Sequence, residues 1–327
     1  MASVLITGGG GYIGSTACAW LLDKGHKVFV IDDFSTGKKE LVLTDNFVQA
    51  RIGDIKQMES LLKYRKFDCV MHFAASTIVS ESFEKPQEYY ENNVNQTDIL
   101  LNLLIKSEVK KFIFSSSCTI FGNSEASLID ENQEKKPISP YGESKLTSEL
   151  QIKKLSAIMN FECIVLRYFN AAGSEPGFRT GEWHTKETRL IPLAIKALRE
   201  QNIFSINGED YPTPDKTCIR DYVHVWDIAQ AHELAMNRLL SQKVGFEDYN
   251  LGSEKGYSVR EILKCIEKLT GKKLQTQVVP RRNGDPARLV ASKQKAEKVL
   301  GFKPQFSDLD TIILTALEWD RKLNKNN

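Results

Sequence analysis

The chain of 327 residues is long enough for one large domain or two closely joined ones with a sizeable core. Apolar residues make up 41% and charged residues 26%, the balance of an ordinary soluble globular protein. A formal net charge of +2 excludes any bulk electrostatic case for nucleic acid or a membrane surface as partner.

In chain order, Val4-Leu5-Ile6 predicts a strand. The glycine run Thr7–Gly14 follows, then a helix through Ala17, Trp20 and Leu21 that stops at Gly25, where a left-handed residue costs glycine little. Further strands are expected at Lys27–Ile31, ending on Asp32-Asp33, and at Phe47–Ala50, running to Gly53-Asp54-Ile55. Another is expected at Cys69–Phe73, with a helix around Asn92–Leu104. Lys111–Phe114 leads into Ser115-Ser116-Ser117, a helix opens near Ser139-Pro140-Tyr141, and Cys163–Tyr168 is the last clear strand. Strands this apolar, separated by helices, are buried on both faces and predict a doubly wound parallel sheet of the Rossmann type in an α/β fold. From about Ala171 glycine, proline and charge interrupt the pattern, and helices at Leu190–Arg199, Asp227–Leu239 and Val259–Leu269 are linked by irregular segments. The reading is a nucleotide-binding domain over 1–170 and a smaller C-terminal α/β substrate domain over 171–327, with Asp248–Leu251 a candidate to return to the main sheet. The terminal stretch Lys322–Asn327 is polar and expected to fray.

Six cysteines at 18, 69, 118, 163, 218 and 265 lie too far apart for a metal or redox motif, so no metal is expected. Together with the lack of a leader-like segment or a run of about eighteen apolar residues, they point to a reduced, cytoplasmic setting.

A glycine pattern alone is weak evidence, its plain reading being a turn. Here a strand precedes it, a helix follows it and acidic residues end the second strand, which is what a dinucleotide needs. The glycines let backbone approach a pyrophosphate at the helix N-terminus. Asp32 can accept from both ribose hydroxyls and would repel a 2′-phosphate, favouring NAD over NADP. Gly9, Gly11 and Gly14 fit one template and Gly8, Gly11 and Gly14 another, and the glycines by themselves leave both open. Tyr141 and Lys145 stand one helical turn apart. A tyrosine ordinarily titrates near 10, and a neighbouring ammonium and an oxidised nicotinamide are both expected to lower Tyr141 towards use as a base. A solvated helix face is the usual reading of such a pair. Downstream of the glycine turn, and after a strand ending on Ser117, the pair reads as catalytic.

With these segments in place the chain resembles the UDP-glucose 4-epimerases among the extended short-chain dehydrogenase/reductases. The likeness extends through Gly53-Asp54-Ile55, His72–Ala75, Tyr89–Asn95, Ser115–Gly122, Ser139–Lys145 and Arg167–Asn170 into Leu190-Ile191-Pro192, Asn207–Thr213, Ile219–Val225 and Arg281–Asp285. It implies catalysis by Ser117, Tyr141 and Lys145. It implies NAD held by Gly8, Gly11, Tyr12, Ile13, Gly14, Asp32, Asp33, Asp54, Ile55, Phe73, Ala74, Asn92, Tyr141, Lys145 and Phe169. A UDP-sugar would be held by Ser117, Tyr141, Asn170, Arg189, Leu190, Asn207, Arg220, Arg282 and Asp285. The reaction implied is interconversion of UDP-glucose and UDP-galactose at C4 through a 4-keto sugar, with hydride lent to tightly held NAD. A homodimer through helices near Asn92–Leu104 and Tyr141–Met159 is implied as well.

Four positions depart from the family pattern: Thr77 for lysine, Phe121 for tyrosine, Arg189 for His or Asn, and Leu289 where bulk gates N-acetylated sugars. N-acetylated or glucuronate sugars therefore stay open as substrates. The dehydratase chemistry of related enzymes needs an acid pair where this chain has Cys118-Thr119. A non-catalytic NAD sensor would have no need for Ser117, Tyr141 and Lys145 together.

Overall fold

Successive side chains of each early strand fall alternately into two apolar layers, and this places a sheet between helices. Val4 and Ile6 enter one layer and Leu5 the other, Ile113 faces away from Phe112 and Phe114, and Ile164 and Leu166 face away from Cys163 and Val165. The computed structural model describes every residue except Asn283, Asn326 and Asn327. Asn283 of the Arg281–Asp285 segment and the last two residues of the polar tail thus lie outside the described residues.

The chain runs β1 (Ser3–Thr7), α1 (Tyr12–Asp23), β2 (Lys27–Asp32), β3 (Phe47–Gln49), α2 (Ile55–Tyr64) and β4 (Cys69–His72). Short helices α3 (Val79–Glu84) and α4 (Pro86–Tyr90) lead through a π-helical turn at Glu91–Asn95 into α5 (Gln96–Lys106). Then come β5 (Lys111–Ser117), α6 (Pro140–Ile158), β6 (Glu162–Tyr168) and β7 (Asn170–Ala172). The second half holds α7 (Leu190–Glu200), β8 (Phe204–Asn207), β9 (Ile219–His224), α8 (Val225–Ser241), β10 (Phe246–Leu251), β11 (Gly256–Ser258) and α9 (Val259–Thr270). It ends with β12 (Thr276–Val279), β13 (Arg288–Leu289), α10 (Gln294–Leu300) and α11 (Leu309–Lys325).

Seven parallel strands form the main sheet in the order β10-β6-β5-β4-β1-β2-β3. The order reverses between β1 and β4, and such a reversal opens a crevice at the carboxyl ends of the strands. The edge strand β10 contains Asp248–Leu251, so the second half does send a strand back to this sheet, paired with β6 from Phe246↔Cys163 to Leu251↔Tyr168. Helix α8 packs on α1 on one face, while α2, α5 and α6 cover the other.

The stretch after Ala171 is more regular than the interrupted sequence suggests. β9 pairs with β7 and β13 in parallel and with β11 antiparallel, and β8 pairs with β12. These strands are two to six residues long, too short to show a period, and their partners are up to about seventy residues away in the chain. Their core is separate, built from Ile191, Ile195, Ile262, Ile266, Ile313 and neighbours on α7, α9 and α11. All six cysteines are free thiols. Among the described residues no helix is long and apolar enough to cross a membrane, and no cluster of His, Cys, Asp and Glu is placed to hold a metal.

Candidate active site

The glycine turn is held by contacts that leave no room for side chains. Gly8 has φ +73°, donates to the Ile31 carbonyl at 2.8 Å and would bring a Cβ within 2.6 Å of the Ala74 nitrogen. A Cβ on Gly14 would meet the Gly8 carbonyl oxygen at 2.2 Å, the same oxygen that accepts from the Gly11 N–H at 3.1 Å. Gly8, Gly11 and Gly14 therefore form the tight turn, while Gly9 is confined instead by the Val30 side chain. No side chain caps α1 at Gly11. Its first-turn N–H groups, those of Tyr12, Ile13 and Gly14, are thus left to meet anionic oxygens.

Asp32 closes the turn from β2. Its carboxylate accepts from Gly10 N at 2.8 Å and Phe34 N at 2.8 Å, one bond per oxygen, which leaves a lone pair on each for hydroxyl donors. Burial raises its pKa, against those two backbone N–H groups. A crevice beside it is lined by Gly8, Gly11, Asp32, Asp33, Phe73, Ala74 and Asn92. Other positions lie apart from this crevice. Asp54 caps α2 by accepting from Gln57 N at 3.1 Å, and Ile55 is 49% exposed beyond it. The Tyr12 hydroxyl donates to the Gly173 carbonyl at 2.6 Å. Phe169 packs with Cys118 and Phe121 below the end of β5. Reading the sequence missed the loop Ser35-Thr36-Gly37, which lines the same crevice. Its Lys38 N–H donates to the Gly10 carbonyl at 2.8 Å, and the Ser-Thr-Gly turn after the acidic strand end was the available signal. The cradle a Cβ would fill, the uncapped helix end and the half-used carboxylate together fit a dinucleotide.

The second cluster stands at the ends of β5 and α6. Ser139 caps α6 by accepting from Gly142 N, so the helix starts where Tyr141 and Lys145 both point back at β5. Tyr141 and Lys145 are buried, and the Lys145 Nζ donates to the Ser115 carbonyl at 3.0 Å over the Phe114 ring. Ser117 Oγ accepts from Thr119 N at 3.2 Å and Thr119 Oγ1 at 3.0 Å. The π-helical turn is tied to this helix, since Asn93 Nδ2 donates to Ser144 Oγ at 3.0 Å and Ser148 Oγ to the Asn93 carbonyl at 3.0 Å. Asn92 is thereby set on the crevice side.

The chain's own groups raise the Tyr141 phenol in this arrangement. Burial pushes the Tyr141 phenol up to about 12, and the groups that oppose the rise are Ser117 and the Arg189 guanidinium. Lys145 is not among the leading groups acting on the phenol: its Nζ is turned to Ser115, and burial drives its own pKa down to about 7. His72 below is neutral, pushed to about 3 by burial and bonded to Thr7 and Thr97 through its two ring nitrogens.

The third cluster comes from the second half. Arg220 on β9 pairs with Asp285, whose other oxygen accepts from the Tyr211 hydroxyl at 3.3 Å. Asn207 ends β8 beside Val279, Asn170 opens β7 beside Tyr222, and Leu190 begins α7. Arg282 is exposed on the loop between β12 and β13. Arg189 pairs with Glu182 at 3.0 Å and lies over the Tyr12 ring, at the N-terminus of α1. Leu289 is buried with Cys118, Phe121 and Phe169, which puts it next to the Ser117 strand end.

A parallel sheet with a glycine cradle at its switch point and a Ser-Tyr-Lys set two strands away defines the Rossmann class of dinucleotide enzymes. Within that class the chain belongs to the NAD dependent epimerase/dehydratase family, whose model matches residues 4–252. It is 39% identical over 322 residues to a UDP-glucose 4-epimerase of Halalkalibacterium halodurans, covering 98% of this chain and 96% of that one. It is similar to the crystal structure of UDP-glucose 4-epimerase from Brucella ovis in complex with NAD, with a TM-score of 0.94, 40% identity, and coverage of 97% of this chain and 98% of that one. A UDP-glucose 4-epimerase from Stenotrophomonas maltophila, with bound NAD and formylated UDP-arabinopyranose, superposes with a TM-score of 0.96 at 34% identity, each chain covered in full.

Proposed function

We propose that the chain interconverts UDP-glucose and UDP-galactose at C4, with Tyr141 as the acid-base group. The observation that carries this reading is the convergence of Ser117 and Tyr141 at one strand end, between the glycine cradle and the Arg220–Asp285 pair. NAD, when bound, supplies the acceptor that takes a hydride from C4 and gives it back. Tyr141 takes the C4 hydroxyl proton and returns it to the C4 oxygen once the turned ketone has received the hydride on its opposite face. Ser117, its hydroxyl fixed by Thr119, is left with its own proton to donate to the C4 oxygen, which orients that oxygen for transfer. A phenol near 12 is a poor base at neutral pH, so the reaction needs positive charge brought close to it. Arg189 and Lys145 are the chain's contributions to that charge. Arg220 and Arg282 bind the pyrophosphate, a task suited to guanidinium forks. Anchoring by UDP with few sugar contacts lets the 4-keto sugar turn over in place.

The remaining NAD contacts follow the same division: Tyr12, Ile13 and Gly14 at the pyrophosphate, Asp32 and Asp33 at a ribose, Phe73, Ala74 and Asn92 along the crevice, and Asp54, Ile55 and Phe169 beyond its lining. Asn170, Leu190, Asn207 and Asp285 complete the nucleotide-sugar side. Residues 1–170 act as the NAD unit and 171–327 as the UDP-sugar unit, with β10 as the strand that joins them. The chain works in the cytoplasm as a homodimer. Exposed Phe83, Tyr90, Leu150, Ile158 and Met159 on α3, α4, the end of α6 and the residue after it support a contact there.

An N-acetylated substrate is the second reading, favoured by Leu289, which has less bulk than a tyrosine at the strand end. A carboxylated sugar is disfavoured, because Glu182 already pairs with Arg189. The test is to incubate purified protein with UDP-galactose and no added NAD, and to follow UDP-glucose. Conversion supports the proposal, and no conversion by protein that carries NAD overturns it. UDP-N-acetylgalactosamine in a parallel reaction decides the second reading.

A further inference from the structure

Below Tyr141 and Lys145, the next turn of α6 carries Glu149, buried at 3% exposure. Its carboxylate is held on three sides. Ser116 Oγ donates to Oε1 at 2.5 Å, and Arg167 donates through Nε at 3.0 Å and through Nη2 to Oε2 at 2.7 Å. Arg167 is itself shared, because Nη2 also reaches Asp248 on β10 at 2.6 Å. Asp248 in turn meets Lys295 at 2.7 Å, at a partly exposed position. Lys145, Glu149, Arg167, Asp248 and Lys295 thus form one line of alternating charge from the active site to the sheet edge.

A buried ion pair is rarely more stabilising than apolar packing of the same size. Its position one turn below the Tyr141–Lys145 pair therefore asks for another reason. A lone Arg167–Glu149 pair would cancel its own field at Lys145. The second carboxylate, Asp248, shares Arg167 Nη2 and so offsets part of the guanidinium charge, which leaves Glu149 more of its field towards Lys145 than a lone pair would.

We propose that Glu149 is a positioning residue for the reaction: it keeps Lys145 as the ammonium and fixes the end of β5 through Ser116, with Asp248 on the returning strand sharing the Arg167 that pairs with it. The inference rests on the reading of Tyr141 and Lys145 as the catalytic pair. Burial works against the Lys145 charge and Glu149 works for it, leaving the amine near 7, where a modest field changes the charged fraction most. The titratable groups of the neighbouring strands do not supply that field. His72 on β4 is neutral, and burial keeps the Tyr168 hydroxyl on β6 and the Cys163 thiol protonated. Facing Glu149 and Arg167 from outside are Lys135 and Lys153, both cations, which oppose the effect on Lys145 and cannot produce it.

The test follows the Lys145 Cε resonance against pH in protein labelled with 13C-lysine, the signal being assigned by its loss in Lys145→Arg. The pH profile of kcat is measured on the same holoenzyme. Glu149→Gln keeps the shape and the Ser116 contact. It is expected to lower the Lys145 pKa by about one unit or more and to move the alkaline limb of kcat down with it. Activity is retained below the Lys145 pKa and lost as pH rises through it, so a lower pKa narrows the active range from the alkaline side. Asp248→Asn, at a partly exposed position, is expected to give a smaller shift of the same sign, and Glu149→Asp to restore most of the limb. If Glu149→Gln does not fold, Asp248→Asn decides. An unmoved Lys145 titration in the folded variants overturns the proposal, even where rates fall. If the unsubstituted protein fails to epimerise, the functional reading fails, and the Lys145 titration still judges Glu149 separately.

Discussion

The main sheet and the small sheet around β9 differ in how they are assembled, and so in what their residues can do. Three main-sheet strands hand their last residue straight to the site: Thr7 to the glycine turn, Asp32 to the Gly10 amide, Ser117 to the Tyr141 cluster. Sites at the carboxyl ends of parallel strands are fixed by the sheet itself. The small sheet gathers β7, β9, β11 and β13 from segments spread over more than a hundred residues, and its charged pair, Arg220–Asp285, is closed by a loop. The first region gives a rigid cofactor cradle, and the second a grip on the substrate made by tertiary contact.

That contrast orders the expected effects. The largest belongs to the rigid region: Tyr141→Phe is expected to lose turnover by about 10²–10⁴-fold, the range for a general acid-base group, while NAD measured after denaturation stays stoichiometric. Near-normal turnover would remove Tyr141 from its role. Next, Gly14→Ala forces a Cβ to 2.2 Å from the Gly8 carbonyl oxygen, so the protein should purify with little NAD, whereas Gly11→Ala, whose Cβ would crowd the same oxygen at 3.3 Å, should lose less of it. Equal losses in both would argue against the tight-turn geometry. In the substrate region, Arg220→Gln is expected to raise KM for the UDP-sugar more than it lowers kcat, by roughly 1.5–3 kcal/mol of binding for a charged hydrogen bond. A pure kcat effect would move Arg220 out of the grip.

A pH effect separates the two regions further. His72 sits in the main sheet near 3, and His224 in the small sheet and His232 on α8 sit near 4, all lowered by burial. The unfolded chain takes up these protons near 6.5. Stability is therefore full above 6.5 and falls as pH drops towards 4, by about 2 kcal/mol per histidine at pH 5. Buried Asp221, raised to about 6, works in the opposite sense. Urea midpoints at pH 7 and 5 should differ accordingly, and His72→Asn should flatten the difference. An unchanged slope would mean that His72 is not held neutral. The smallest effect is expected at Leu289→Ala, a modest rise in kcat/KM for UDP-N-acetylgalactosamine relative to UDP-galactose. A fall would show that Leu289 supports the sugar and does not gate it.

The same contrast explains what could be read in advance. Most of the main sheet was legible because its strands are continuous apolar runs, and β1, β2 and β5 end on Thr7, Asp32 and Ser117; Ser117, Tyr141 and Lys145, expected together from their motifs, do meet at the end of β5. The strands β7, β8, β9, β11, β12 and β13 were read as irregular segments, because pairing between distant short pieces leaves no local period. The Ser35–Gly37 wall of the crevice was missed, being loop. The lowering of Tyr141 is expected from an ammonium and an oxidised nicotinamide together; helix spacing says nothing about where the amine turns, and in the chain the Lys145 Nζ meets the Ser115 carbonyl. Glu149 went unnoticed, since its importance depends on Arg167 and Asp248, strands away.

The central claim is that oxidation and reduction occur within one bound sugar, and deuterium at C4 tests it most directly. UDP-galactose labelled there should yield UDP-glucose that keeps the label at C4 through complete conversion, with none in solvent water. Loss of the label to water would contradict the account, because the C4 hydrogen would then have left as a proton.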